Sequence, residues 1–312
     1  MVISMKIRLG YACISKTILE TMSSPYSYHE FLNNPNFEKL NEIIISNLKA
    51  LENIIDYNIK NNIHFFRLSS KLIPLATTPD IKFDYITPFK KYYDRIGSKI
   101  KNNNMRVDFH PDQFCVLNST RKEVLENTFR ILEYHYNILE ALGIENKILV
   151  LHIGSSVLGK ENSIKRFINS YKKLPDNIKK CIAIENDDKV FHIENCFQIH
   201  DVLKIPIVLD YHHHICNPAN IDFEKIFISW KNKKPKVHFS SPKSKLKKEF
   251  RSHHDYIDSD SFIEFIEKIK PYNIDVDIMI EAKAKDEALF KLVRELKYKT
   301  DYKFLDDTTF EI

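Results

Sequence analysis

Hydrophobic and polar positions along this chain alternate between two periods. Short apolar runs rich in β-branched and aromatic residues predict strands near Ile7–Cys13, His64–Ser69, Met105–His110, Ile148–His152, Ile182–Glu185, Ile207–Asp210, Lys236–Phe239 and Asp277–Glu281. Each is apolar inside, as expected of strands buried on both faces. Between them, apolar residues recur every three to four positions and predict helices near Leu40–Ile59, Phe89–Asn103, Arg121–Leu142, Glu161–Leu174, Ile193–Leu203, Phe223–Ser229 and Ser261–Lys270. A last helix near Ala284–Tyr298 follows the eighth strand. Ser119 or Thr120 is placed to cap the helix from Arg121, with Glu123 in its first turn. Gly143, Pro175 and Pro271 sit just past helix ends.

Eight strand-then-helix units without a composition break predict an α/β fold of one domain, a (β/α)8 TIM barrel over residues 1–312. An open doubly wound sheet is the alternative. Closure is favoured by where the polar residues fall. Strand after strand ends in Tyr11, Ser69 or Ser70, His110, His152, Glu185, Asp210, His238 and Glu281. A barrel gathers such positions at one mouth, whereas an open sheet spreads them along a line.

Composition narrows the chemistry. No run of about 18 uncharged apolar residues exists, so no membrane span is expected. Met1–Lys6 leads straight into a strand without a signal-peptide layout, so an intracellular protein is expected. Five scattered cysteines without a C-x-x-C pair argue for free thiols. With 5 glycines and no Gly-rich phosphate loop, a nucleotide cofactor is not expected. The net charge of +5 decides little, but ten Lys/Arg against two acids between Glu224 and Arg251 suggest a polyanionic partner.

The candidate chemistry lies at the strand ends. Asp210-Tyr211-His212-His213-His214 offers oxygen and imidazole donors together, and geometry alone leaves open which histidine points inward. A lone strand-end histidine is more often structural. His110 and His152 beside Glu185 and Glu281 reverse that expectation, because buried carboxylates need a cation. For these carboxylates, an ordinary salt bridge from Lys283 or Lys285 is the alternative. Lys236 shares a strand face with His238, so it is either an outward charge or an altered ligand. His253 or His254 can contribute from the loop after the seventh strand; His29, His64, His135, His192 and His200 receive no site role. Mixed donors from several strands suit a cluster of Mn or Zn, with metal-activated water attacking a phosphate ester.

Eight motifs in register then carry a resemblance: FRLSS (Phe66–Ser70), FHPDQF (Phe109–Phe114), LHIG (Leu151–Gly154), ENDD (Glu185–Asp188), DYHHH (Asp210–His214), KVHFSSPK (Lys236–Lys243), SHHDYID (Ser252–Asp258) and MIEAKAK (Met279–Lys285). From Ile7 to about Lys285 the chain resembles the UV damage endonuclease family, and more distantly endonuclease IV and the xylose isomerase-like barrels. The resemblance implies a DNA repair nuclease that nicks 5′ of ultraviolet photoproducts and some other lesions. It implies a cluster of divalent ions, typically Mn²⁺ with Zn²⁺ or Mg²⁺ as alternatives, about two or three per chain. The implied metal ligands are His110, His152, Glu185, Asp210, His213, His238, His253 and Glu281. Catalytic roles fall to Glu185, Lys236 (as a carboxylated lysine) and Tyr11, and lesion probing to Gln113 and Phe114. Lys243, Lys245, Lys247 and Lys248 are candidates for phosphate contacts on double-stranded DNA, as are Lys231, Lys233 and Lys234. The chain is expected to act as a monomer at the nucleoid.

Two positions depart from the family pattern. Phe114 stands where Tyr is common, which keeps stacking and loses a hydroxyl. Leu75–Thr78 lacks the histidine often found after the second strand, which puts a third ion in question. Three rivals share the pattern: an abasic-site endonuclease, a metal-dependent sugar isomerase or epimerase, and a non-catalytic DNA-binding barrel.

Overall fold

The computed structural model describes residues 4–312; of the opening segment, Met1, Val2 and Ile3 lie outside the described residues. Eight parallel strands, β1 (Lys6–Ala12), β2 (Phe65–Leu68), β3 (Arg106–Phe109), β4 (Leu149–His152), β5 (Ile182–Glu185), β6 (Ile207–Asp210), β7 (Lys236–Phe239) and β8 (Val276–Ile280), pair in sequence order. β1 closes the ring by pairing with both β8 and β2. The predicted barrel is therefore the observed one.

Helices cover the outside. The longest, Phe37–Lys60, is capped by Asn36, whose side chain accepts from the Lys39 amide. It buries Leu40, Ile44, Leu48, Leu51 and Ile55, a stripe at helical spacing that packs on the outward residues of the strands. The helix Lys122–Ala141 begins after Arg121, and no side chain caps it. Ser119 instead accepts from the Arg121 amide, so neither Ser119 nor Thr120 is the cap.

Two features were not expected. Past the last helix, β9 (Lys303–Phe304) and β10 (Thr309–Glu311) form a hairpin, and β10 pairs antiparallel with the first half of β1. β2 pairs only with the second half, at Tyr11 and Ala12, so the hairpin fills the gap between β1 and β2 at the lower, N-terminal mouth. The barrel interior is also not wholly apolar. Ile148, Val150, Ala183 and Val208 form one inner cluster and Ala12, Phe65 and Met279 another. Between and beyond them the inward faces carry charge: Arg8, Arg106 and Asp277 below, Lys236 and Asp108 midway, Arg67, Glu185 and Glu281 above. The strand sequences read as apolar because their outward residues dominate the pattern.

Candidate metal centre and its groove

The upper mouth gathers the strand-end residues. Glu185, buried at the end of β5, stands between three histidines from three other strands. His110 Nε2 lies 2.6 Å from Oε2, His152 Nε2 3.5 Å from the same oxygen, and His238 Nδ1 2.6 Å from Oε1. Burial alone would raise the Glu185 carboxyl, but His238, His152 and His110 together hold it well below the usual carboxylate range. Burial pushes the imidazole of His238 down to about 3 and lowers that of His152.

The DYHHH motif resolves through a helix cap. Asp210 closes β6 and is the N-cap of a short helix, Tyr211–Cys216, with Oδ1 accepting from the His213 amide at 2.8 Å. That turn brings His213 back over Asp210, its Nδ1 meeting the Asn186 carbonyl at 3.0 Å and its ring 5.7 Å from that of His152. The side chain of Asn186 braces Asp210 on both sides, accepting from its amide and donating to its carbonyl. His212 instead packs on Phe250 and His253, and His214 lies over Tyr211. Asp210 Oδ2 is buried and accepts no hydrogen bond. Burial pushes the Asp210 carboxyl up to about 7, whereas for His213 the neighbouring Asp210, Glu185 and Glu281 outweigh burial and raise the imidazole to about 9.

Three overlapping triads result, with donor atoms within 4.8 Å of one another: His110–His152–Glu185, Glu185–Asp210–His213 and Asp210–His238–Glu281. They contain seven of the eight ligands that the resemblance implied. His253 stands at the rim, Nδ1 4.0 Å from Glu281 Oε2, and His254 faces solvent. The set fits a hard or borderline divalent cation by donor type and by the unused Asp210 oxygen, and a cationic side chain is already drawn to one of its carboxylates, Glu281. That side chain is Arg67, buried at the end of β2. It pairs with Glu281 at 2.6 Å and donates from Nη2 to His238 Nε2 at 2.8 Å. His238 can accept there only with its proton on Nδ1, facing Glu185. Arg67, not Lys283 or Lys285, is thus the partner of Glu281.

Below this layer Lys236 is fully buried and donates to Asp108 Oδ2 at 2.7 Å, so it is not an outward charge. Burial brings its ammonium down to about 8 against the opposing pull of Asp108. Tyr11 is not brought to the cluster. It points outward with Phe66, and its hydroxyl donates to Asn58 on the long helix at 2.8 Å. Alternation along β1 explains this, since Gly10 and Ala12 take the inward places. Arg67, Asp108 and Asn186 were missed as site residues. Two of them are readable by counting back in twos from Ser69 and His110.

A groove of about 1070 Å³ runs from His152 and His213 to Gln113 and Phe114, passing Asn118, Arg121 and Asp187. Phe114 is 72% exposed, an unusual state for a large aromatic ring at the edge of a polar site. Gly154, at φ +110°, lets Asn118 approach the end of β4, where a Cβ would meet its Oδ1 at 2.5 Å. Lys243, Lys245, Lys247 and Lys248 are exposed on the loop after β7, which folds back through the Pro242–His253 bridge toward the cluster. Lys231, Lys233 and Lys234 precede β7 and lie at the opposite mouth, so they cannot touch a strand seated in this groove.

Among the described residues all five cysteines are free, and no helix is long and apolar enough to cross a membrane.

A family profile described as UV-endonuclease UvdE matches residues 7–308. The UV DNA damage endonuclease of Bacillus cereus (strain B4264) is 42% identical over 266 residues, 83% of each chain. That of Bacillus mycoides (strain KBAB4) is 40% identical over 281 residues, 88% of each chain. The crystal structure of SacUVDE superposes with a TM-score of 0.85 at 33% identity, covering 94% of this chain and 98% of that one. Endonuclease IV from Thermus thermophilus, at 12% identity and a TM-score of 0.58 over 93% of this chain and 98% of that one, shares the fold.

Proposed function

The chain belongs to the UV-endonuclease UvdE family, and on that premise we propose that it nicks double-stranded DNA immediately 5′ of ultraviolet lesions at a divalent-metal cluster held in the upper mouth. Cyclobutane dimers and 6-4 photoproducts are the substrates we assign, with abasic sites as a secondary class. The observation that carries this reading is the triple overlap of donor triads beside a groove edged by Gln113 and Phe114. His110, His152, Glu185, Asp210, His213, His238 and Glu281 are the proposed ligands, with His253 completing the rim and Mn²⁺ the preferred ion. Ions bound there supply Lewis acidity toward the phosphate and lower the pKa of a water at the site.

The chain's own residues do the rest. Glu185, kept ionised by its surroundings, remains an acceptor able to hold a hydrogen bond from a water at the site and orient it. Lys236 lies beneath His238, and its lowered ammonium leaves free amine near pH 8 to react with carbon dioxide, forming the N–C bond of a carbamate and releasing a proton. A fused pyrimidine pair stacks poorly and is cheaper to extrude than normal bases. Gln113 and the exposed Phe114 ring are suited to occupy the space it leaves. Lys243, Lys245, Lys247 and Lys248 supply sequence-independent contacts to phosphates. We assign this activity to a single barrel domain that works as an intracellular monomer.

Ultraviolet-irradiated supercoiled plasmid tests the proposal. Relaxation is expected with Mn²⁺, with none in chelator and none on unirradiated plasmid; equal nicking of both plasmids would reject lesion specificity.

A further inference from the structure

The lower mouth of the barrel holds a second cavity, of about 460 Å³, that the proposed DNA chemistry does not use. Its charge is unbalanced. Arg8, Lys101, Arg106, Lys233 and Lys234 line it against two carboxylates, Glu145 and Asp277. Asp277 is already saturated: Arg8 grips both its oxygens at 2.7 Å, and Arg106 Nη1 reaches Oδ2 at 3.0 Å. Glu145 is taken by Lys101 at 3.3 Å. No carboxylate among the described residues lies within 4.0 Å of Lys233, although the chain there is half-buried. Burial also lowers the ammonium of Lys233, with Arg106 and Lys231 adding to the effect, so an anion at its tip would relieve a cost the fold now bears.

The arginines are rigid. Arg106 is held over the ring of Trp230 at 5.1 Å and that of Phe65 at 5.3 Å, and also donates to the Lys234 carbonyl. Asn104, Asn146 and Asn232 add amides, and Ile100, Met105 and Ile144 an apolar wall. A fixed guanidinium, an unpaired ammonium, amides and an apolar side form a recognisable recipe for an organic phosphate, and the volume suits a small molecule. We propose that this lower mouth is a ligand site for a small phosphorylated anion, with Arg106 and Lys233 holding its phosphate group. The site lies at the far end of the barrel from the metal-ligand cluster, so it stands or falls independently of the endonuclease reading.

Trp230 is the sole tryptophan of the chain and lies against Arg106, so its fluorescence reports on the site. The full-length chain in Mn²⁺-containing buffer is titrated at constant ionic strength with inorganic phosphate and, separately, with adenosine 5′-monophosphate. A saturable change is expected with both, tighter for the nucleotide if the apolar wall is used. Lys233→Glu should weaken either by about tenfold or more, while plasmid nicking stays unchanged. Lys233→Met gives the same answer should the charge reversal impair folding, and Glu145→Gln should tighten binding. No saturable response, a response identical in the Lys233 variants, or a response matched by sodium chloride overturns the proposal. So does loss of duplex binding in Lys233→Glu, which would make this surface a DNA contact instead.

Discussion

The two mouths of the barrel carry the same kinds of buried charge and pair them differently. Below, Asp277 meets Arg8 and Arg106 in direct hydrogen bonds, and both of its carboxylate oxygens have a cationic donor. Above, Glu281 pairs with Arg67, Glu185 stands among His110, His152 and His238, and Asp210 keeps its buried Oδ2 free of any hydrogen bond. A buried carboxylate with a full set of donors is structural cement; one without is costly to keep and needs a reason. The upper mouth gathers three carboxylates with one oxygen unbonded and the lower mouth gathers cationic side chains in excess, so we assign cations to one end and anions to the other. The Lys236–Asp108 pair lies between the two.

Single substitutions at matched depth separate these roles. The largest effect belongs to Glu185→Gln, which keeps shape and removes charge. Nicking should fall by about 10²–10⁴-fold, the range for losing a group positioned on the reacting water, with lesion binding by gel shift nearly intact; equal loss of both would remove its catalytic role. Asp277→Asn at the lower mouth should do the reverse. Denaturant unfolding should show a loss of about 3 kcal/mol, as for breaking a buried pair, with nicking per folded molecule unchanged. The Asp277 carboxyl is held below its ordinary value, chiefly by Arg8 against the opposing effect of burial. Its contribution is therefore present above the unfolded value near pH 4 and lost as pH falls through the folded one. The smallest effect is expected from Lys245→Glu with Lys247→Glu. Binding should weaken alike for damaged and undamaged duplex, and the salt slope should drop by about 0.9 for each lost phosphate contact. An unchanged slope would clear that loop of contact.

Much of the upper mouth was readable because barrels project strand-end residues to one side, so a period-two pattern ending in His110, His152, Glu185, Asp210, His238 or Glu281 already implies convergence. What stayed hidden depends on neighbours far along the chain. That Asp210 spends one oxygen on the His213 amide, and so selects that histidine, follows from a helix cap and not from spacing. Alternation places Arg67 and Asp108 inward, but each stands among apolar strand residues and its role shows only with its partner 171 or 128 residues away. Tyr11 shows the converse. It ends a strand in the right motif, yet the pleat turns it to the helices and Asn58. The misplacement of Lys231, Lys233 and Lys234 has the same origin, since a basic run continuous in sequence is split by β7 between opposite mouths.

Cation capture by the upper mouth is tested most directly by calorimetric titration of Mn²⁺ into the chelator-treated chain at pH 6, 7.5 and 9. Protons on Asp210 and His213, whose values stand at about 7 and about 9, compete with the ion. Affinity should therefore climb with pH, protons should be released on binding, and about one ion should load per filled triad, with Asp210→Asn removing at least one of them. Failure to bind, or binding indifferent to pH and to Asp210→Asn, would contradict the account.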